Sequence, residues 1–157
     1  TTLSPALPYA LFDRSVSYAS EVEQFNGNMV FEGIIANAKA ALKQGVPVAL
    51  GNDVGCPWIT QYDFWRELCY FEKYVGASRS FALHTATLRN AQLAGIGDIT
   101  GSIEVGKEAD MIVTAANPLD DLRALRTVKH VIHRGNLIAK PRVKRKAAID
   151  RELDKFL

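Results

Sequence analysis

The residue best placed to do chemistry is Asp53. It stands in Gly51-Asn52-Asp53-Val54-Gly55, directly after the apolar run Val46-Pro47-Val48-Ala49-Leu50. A carboxylate at the end of such a run can bind a divalent cation or carry a proton to and from an attacking water. The flanking glycines let the backbone turn sharply around it. An aspartate between glycines is also an ordinary turn residue, so the five residues alone leave both readings open. Cys56, Trp58 and Tyr62 follow closely. They are candidates to line a pocket, and Trp58 equally fits a ring packed beneath the loop. Other metal-ligating types do not gather: His84, His130 and His133 sit in expected helical or strand segments and read as structural or surface residues. Cys56 and Cys69 are too far apart for a CxxC pair.

The elements around Asp53 are legible from periodicity. Val30, Ile34, Ala38, Ala41 and Leu42 recur at helical spacing over 28–44, and Gly45 stands where a helix would end. The run 46–50 has no polar alternation and reads as a strand buried on both faces, with Pro47 near its beginning. Residues 61–75 read as a helix capped by Thr60 and stopped by Gly76. Residues 79–94 read as another, capped by Ser78 and ended by Gly95. Residues 1–27 read as a long loop or short irregular helix.

Beyond Gly95 the texture changes. Glycines at 95, 97, 101 and 106 punctuate short apolar pieces, and Ala109–Thr114 reads as a strand. Asn117-Pro118-Leu119-Asp120 reads as a turn into one helical turn. Val128–His133 and Asn136–Ala139 flank Arg134-Gly135 as a hairpin. Residues 144–157 have an amphipathic pattern through Ile149, Leu153 and Phe156.

Helix followed by buried strand, with a polar residue just past the strand, is the texture of one unit of a parallel α/β fold, whose site lies at the strands' C-terminal ends. The wider sequence resembles the amidohydrolase superfamily over roughly residues 30–140. Gly45–Asp53 resembles the eighth barrel strand of those enzymes, with Asn52 where threonine is commoner. Thr85–Ala91 resembles the helix that follows. Gly95-Ile96 and Thr100–Val113 resemble the return into a β-sandwich, continued by Asn117-Pro118-Leu119 and Val128–Gly135. Thr2-Leu3-Ser4-Pro5 resembles the end of the seventh strand in imidazolonepropionase-like and Xaa-Pro dipeptidase-like members.

The resemblance implies an α/β fold: the C-terminal part of a (β/α)8 barrel over 1–95, C-terminal strands of a composite β-sandwich over 96–140, and a basic tail, possible as a helix, over 141–157. It implies hydrolysis of an amide, peptide or cyclic amide C–N bond. Asp53 is then both metal ligand and proton carrier, and Ser4 and Tyr9 join Cys56 and Trp58 as substrate-binding candidates. The implied cofactor is one or two divalent ions, zinc first. The histidine ligands of the family have no counterpart among the three histidines, so they are expected upstream of Thr1, and the 157 residues alone are expected to be inactive. A non-catalytic relative using the fold for assembly is the alternative. The implied partners are a small-molecule substrate, the upstream part of the barrel and further copies in a homo-oligomer.

Composition is compatible with this. Apolar residues make up 48% and charged residues 23%, ordinary for a globular domain. No apolar run approaches the ~18–20 residues that span a bilayer. The sequence begins Thr1-Thr2-Leu3-Ser4-Pro5, without an initiator methionine or the pattern of a signal peptide, so a start further upstream is expected. Two cysteines are too few for a disulfide framework, and free thiols in the cytoplasm are expected. Charge is uneven: 8 basic and 13 acidic residues over 1–120, against 11 basic and 4 acidic over 121–157. The basic run Lys140–Lys146 has no interleaved aromatic to stack on bases, so a solvated segment is expected there, with neither nucleic acid nor membrane as partner.

Overall fold

The computed structural model describes residues 1–157. Three helices open the chain: α1 (Leu7–Leu11), α2 (Arg14–Ser17) and α3 (Glu21–Lys43). α3 starts at Glu21 rather than at residue 28. Ser20 and Glu23 form a reciprocal cap, with Glu23 N–H donating to Ser20 Oγ (3.2 Å) and Ser20 N–H donating to Glu23 Oε2 (2.8 Å). Gly27 lies inside the helix. A Cβ there would stand 2.6 Å from Tyr9 Cβ, so the glycine allows α3 to lie directly on α1. The inner face of α3 buries Phe31, Ile35 and Ala38, and Gly45 ends the helix at φ +71°.

The run 46–50 is extended but is not a strand in this chain, because its edges have almost nothing to pair with. On one edge, the Thr1 nitrogen donates to Ala49 O and Gly51 N–H donates to Thr1 O (3.0 Å). That alternation is the pattern of a parallel pair centred on residues 1 and 50, with α1–α3 as the crossover between them. On the other edge a side chain takes the place of a strand. Leu50 N–H donates to Asn90 Oδ1 (2.9 Å) and Asn90 Nδ2 donates to Leu50 O (2.8 Å).

The next helix, α4 (Phe64–Tyr70), widens into a π turn over Phe71–Val75 and stops at Gly76, φ +87°. Asp63, not Thr60, occupies its N-cap position. The Thr60 hydroxyl donates to Asp63 Oδ2 (2.6 Å) and Arg66 Nε donates to Asp63 Oδ1 (3.1 Å), so neither the Thr60 nor the Asp63 side chain caps the helix end. Ser78 caps α5 (Arg79–His84), accepting from Phe81 N–H, as its position predicts. A π turn at Thr85–Arg89 joins α5 to α6 (Asn90–Leu93). Here the hydroxyls of Thr85 and Thr87 donate to Phe81 O and Leu83 O, each at 2.7 Å, and such back-bonding loosens the helical ladder. One core lies between these helices, built on Leu3, Leu7, Phe12, Phe31, Leu68 and Phe71.

Residues 111–138 form a small antiparallel sheet in the order β1 (Met111–Thr114), β2 (Val128–His133), β3 (Asn136–Ile138). Met111 stands opposite Ile132, and Val131 opposite Ile138. Arg134 at φ +49° and Gly135 at φ +79° make the two-residue hairpin turn that the sequence predicts. A 3-10 turn at Leu122–Arg126 precedes β2. Gly101, at φ +95°, lies tightly on α6 and the π turn before it: a Cβ there would stand 2.7 Å from Ala91 Cβ.

The final helix, α7 (Ala147–Asp154), is amphipathic as predicted, but it is not a solvated tail. It buries Asp150 and Leu153 against α4. The preceding basic run is largely exposed. No helix is long and apolar enough to cross a membrane.

Candidate functional site

Asp53 follows the extended run and takes a left-handed φ of +52°, with Gly55 at φ +113° beside it. The loop closes on itself through Cys56 N–H to Asp53 O (3.2 Å) and Ile59 N–H to Cys56 O (3.1 Å). The Cys56 thiol also donates to Asp53 Oδ2 at 3.2 Å, and that bond holds the thiol pKa above its usual value. Asp53 is exposed at the wall of a groove of about 610 Å³ between α1 and α3, where it faces Thr2, Pro5, Ala6, Tyr9 and Val30.

The predicted site residues divide. Asp53 and Tyr9 share the groove, and Cys56 stands beside Asp53. Ser4 points the other way. It is 4% exposed, and its hydroxyl donates to Glu67 Oε2 at 2.6 Å, so it serves an internal carboxylate and does not line the groove. Trp58, at φ +71°, meets Phe12 edge-on at 5.0 Å between ring centres, which is the packing role.

Sequence reasoning passed over the two most buried charges. Glu67 is fully buried on α4 and accepts from Leu3 N–H (2.6 Å), Ser4 N–H (2.9 Å) and the Ser4 hydroxyl. It therefore ties down the segment whose neighbours Thr2 and Pro5 form the groove wall. Burial pushes its carboxyl up to about 7, against the opposing pull of these donors. Arg66, 1% exposed, bridges three carboxylates: Asp63 (3.1 Å), Asp150 (3.1 Å) and Asp154 (2.6 Å). The available signal was Trp65-Arg66-Glu67-Leu68-Cys69-Tyr70-Phe71, a stretch whose apolar residues leave no solvent face for its charges.

The remaining motif residues are structural. Asp110 accepts from Arg134 N–H (2.9 Å) and the Thr100 hydroxyl (3.1 Å) and pairs with His133 Nδ1 (2.9 Å). The Arg134 N–H chiefly holds its carboxyl below the ordinary range. His130 Nδ1 bonds Ala139 O (2.8 Å), and His84 is exposed. Nowhere do three His, Cys, Asp or Glu side chains converge as metal ligands. Asp53 and Cys56 are two donors where a tetrahedral zinc site takes three or four protein ligands, so these residues do not hold a metal by themselves.

Residues 14–138 match the model of the amidohydrolase family. The chain belongs to that family. Among amidohydrolase relatives, imidazolonepropionase of Thermoplasma volcanium is 27% identical over 105 residues, which are 65% of this chain and 26% of the relative. A crystal structure from Bifidobacterium longum, provisionally described as a prolidase, superimposes with a TM-score of 0.94 at 41% identity, over 98% of this chain and 38% of that one. A Xaa-Pro dipeptidase with methionine bound in its active site gives a TM-score of 0.76 at 30% identity, over 87% and 33%. The chain thus spans about a quarter of the curated amidohydrolase relative and about a third of these two structures.

Proposed function

We propose that these residues are the C-terminal portion of a hydrolase of carbon–nitrogen bonds, acting on peptide or cyclic amide substrates. In this reading residues 1–95 close a (β/α)8 barrel, 96–140 are strands of a β-sandwich, and 141–157 are an appended segment. The observation that carries it is the position of Asp53. Its carboxylate stands exposed at a groove, directly past an extended run that pairs in parallel with Thr1 across a helical crossover. The likeness to the prolidase-type structures supports the substrate class. The exposed apolar side chains support incompleteness: Val22, Phe25 and Met29 on α3, and Ile103 and Val105 in the second region, are each more than 60% exposed, as surfaces made to be covered are.

Asp53 takes a proton from the attacking water and returns it to the leaving nitrogen, the work of a general base that becomes a general acid. Tyr9, across the groove, contacts the substrate. Amidohydrolases are generally metal-dependent. Any ion of the complete protein takes its other ligands from residues outside these 157, and the proton steps assigned here belong to the Asp53 carboxylate alone. The test is Asp53→Asn in the full-length protein, assayed on Xaa-Pro dipeptides and a cyclic amide. The expected result is a fall in kcat of about 10²–10⁴-fold with thermal stability retained. Unchanged turnover would overturn the reading.

A further inference from the structure

The loop that carries Asp53 is held from behind by the far end of the chain. Phe156, just past α7, stacks on Phe12 with ring centres 5.4 Å apart and planes 13° apart. Phe12 is 2% exposed and meets the edge of Trp58 at 5.0 Å. Trp58 belongs to the same closed turn as Asp53, and its φ of +71° is one that a bulky residue keeps only when its surroundings impose it. The grip on Phe156 is itself built: Lys73 Nζ donates to Phe156 O (2.9 Å), and the Tyr74 hydroxyl donates to the same oxygen (3.3 Å). At the other end of α7, Lys146 N–H donates to the Tyr62 hydroxyl (2.7 Å). Between them Arg66 fastens Asp150 and Asp154 to α4.

We propose that residues 146–156 form a strap that sets the conformation of the Asp53–Trp58 loop, with Phe12 and Phe156 as positioning residues for the Asp53 carboxylate. The catalytic half of this proposal rests on the acid–base role of Asp53; the conformational half does not. The amphipathic pattern of α7 makes the strap dock, and Phe156 converts docking into pressure on one ring stack.

The experiment is Phe156→Ala in the full-length protein labelled with 5-fluorotryptophan. The Trp58 resonance is identified by its loss in Trp58→Phe. The expected result is a displaced or broadened Trp58 resonance and a fall in kcat of about 10- to 100-fold, the scale on which misplacement of a reacting group acts. Phe156→Tyr restores both. If Phe156→Ala does not fold, Phe156→Leu keeps the apolar volume, loses the stacking and is read in the same way. A Trp58 resonance that stays in place in a folded variant overturns the strap. A displaced resonance with full turnover overturns its role in positioning Asp53. An unaffected Asp53→Asn enzyme would instead sink the acid–base reading and leave the resonance test standing.

Discussion

Residues 1–94 contain nearly all of the buried apolar side chains, whereas residues 96–140 bury only Leu122. The second region is held by polar pins: Asp110 on Arg134, Thr100 and His133, Glu108 N–H on Ile99 O (2.8 Å), and Lys107 on Ser102 (2.6 Å). Several of its apolar residues meanwhile face outward, with Ile103 86% exposed and Val105 fully so. Yet this is the region whose sequence is easiest to recognise. Turns and polar pins leave glycines and aspartates at fixed spacings, which read clearly. A packed helical core accepts many apolar residues of similar size and reads poorly. Recognisability therefore follows backbone constraint, and stability follows burial.

The largest effect should come from the packed region. Arg66→Ala leaves Asp63 and Asp150 buried without their cation, and removal of one member of such a cluster costs about 3–5 kcal/mol. Chemical denaturation should record that loss; a change within experimental error would mean that α7 is not fastened through Arg66. Next comes Glu67, whose carboxyl is raised by burial to about 7 from the ordinary 4.5. A raised carboxyl is protonated in the folded state while the unfolded chain is ionised. Its stabilising contribution is present below about pH 4.5 and is lost as pH rises through about 7. Glu67→Gln cannot ionise and should flatten the fall in stability over that window, by about 3 kcal/mol across it. An identical slope in both proteins would place the titration elsewhere. The smallest effect belongs to the exposed region. Ile103→Ser should change the stability of the 157-residue chain by no more than about 0.5 kcal/mol. In the full-length protein the same change should cost about 1–3 kcal/mol if Ile103 is covered there. Equal costs in the two proteins would erase the contrast.

The same contrast explains what was legible. The Arg134-Gly135 hairpin, the Ser78 cap and the stops at Gly45, Gly76 and Gly95 depend on local backbone chemistry and stand where the sequence puts them. Helical periodicity marks α3 only from residue 28, although Ser20 and Glu23 carry the capping signature, and Gly27 lies inside the helix. Its purpose is close approach to Tyr9, which periodicity does not encode. The run 46–50 reads as a strand buried on both faces, but it is only extended, with Val46 and Pro47 exposed, because a strand also needs neighbours and here it has one residue and one side chain. Asp53 was found by motif. Glu67 was not, because a carboxylate fixed by backbone N–H groups distant in sequence leaves no spacing to read.

The Asn90 amide has a consequence for association between molecules. Unpaired extended edges recruit strands from other chains. On the edge of 46–50 away from Thr1, both groups of Leu50 are already taken by Asn90, the Val46 N–H donates to Ala41 O (2.9 Å), and Val48 makes no backbone hydrogen bond. An incoming strand therefore finds one open foothold, at Val48, and meets a barrier two residues on. Asn90 thereby closes this edge at Leu50 and confines strand addition to the residues before it.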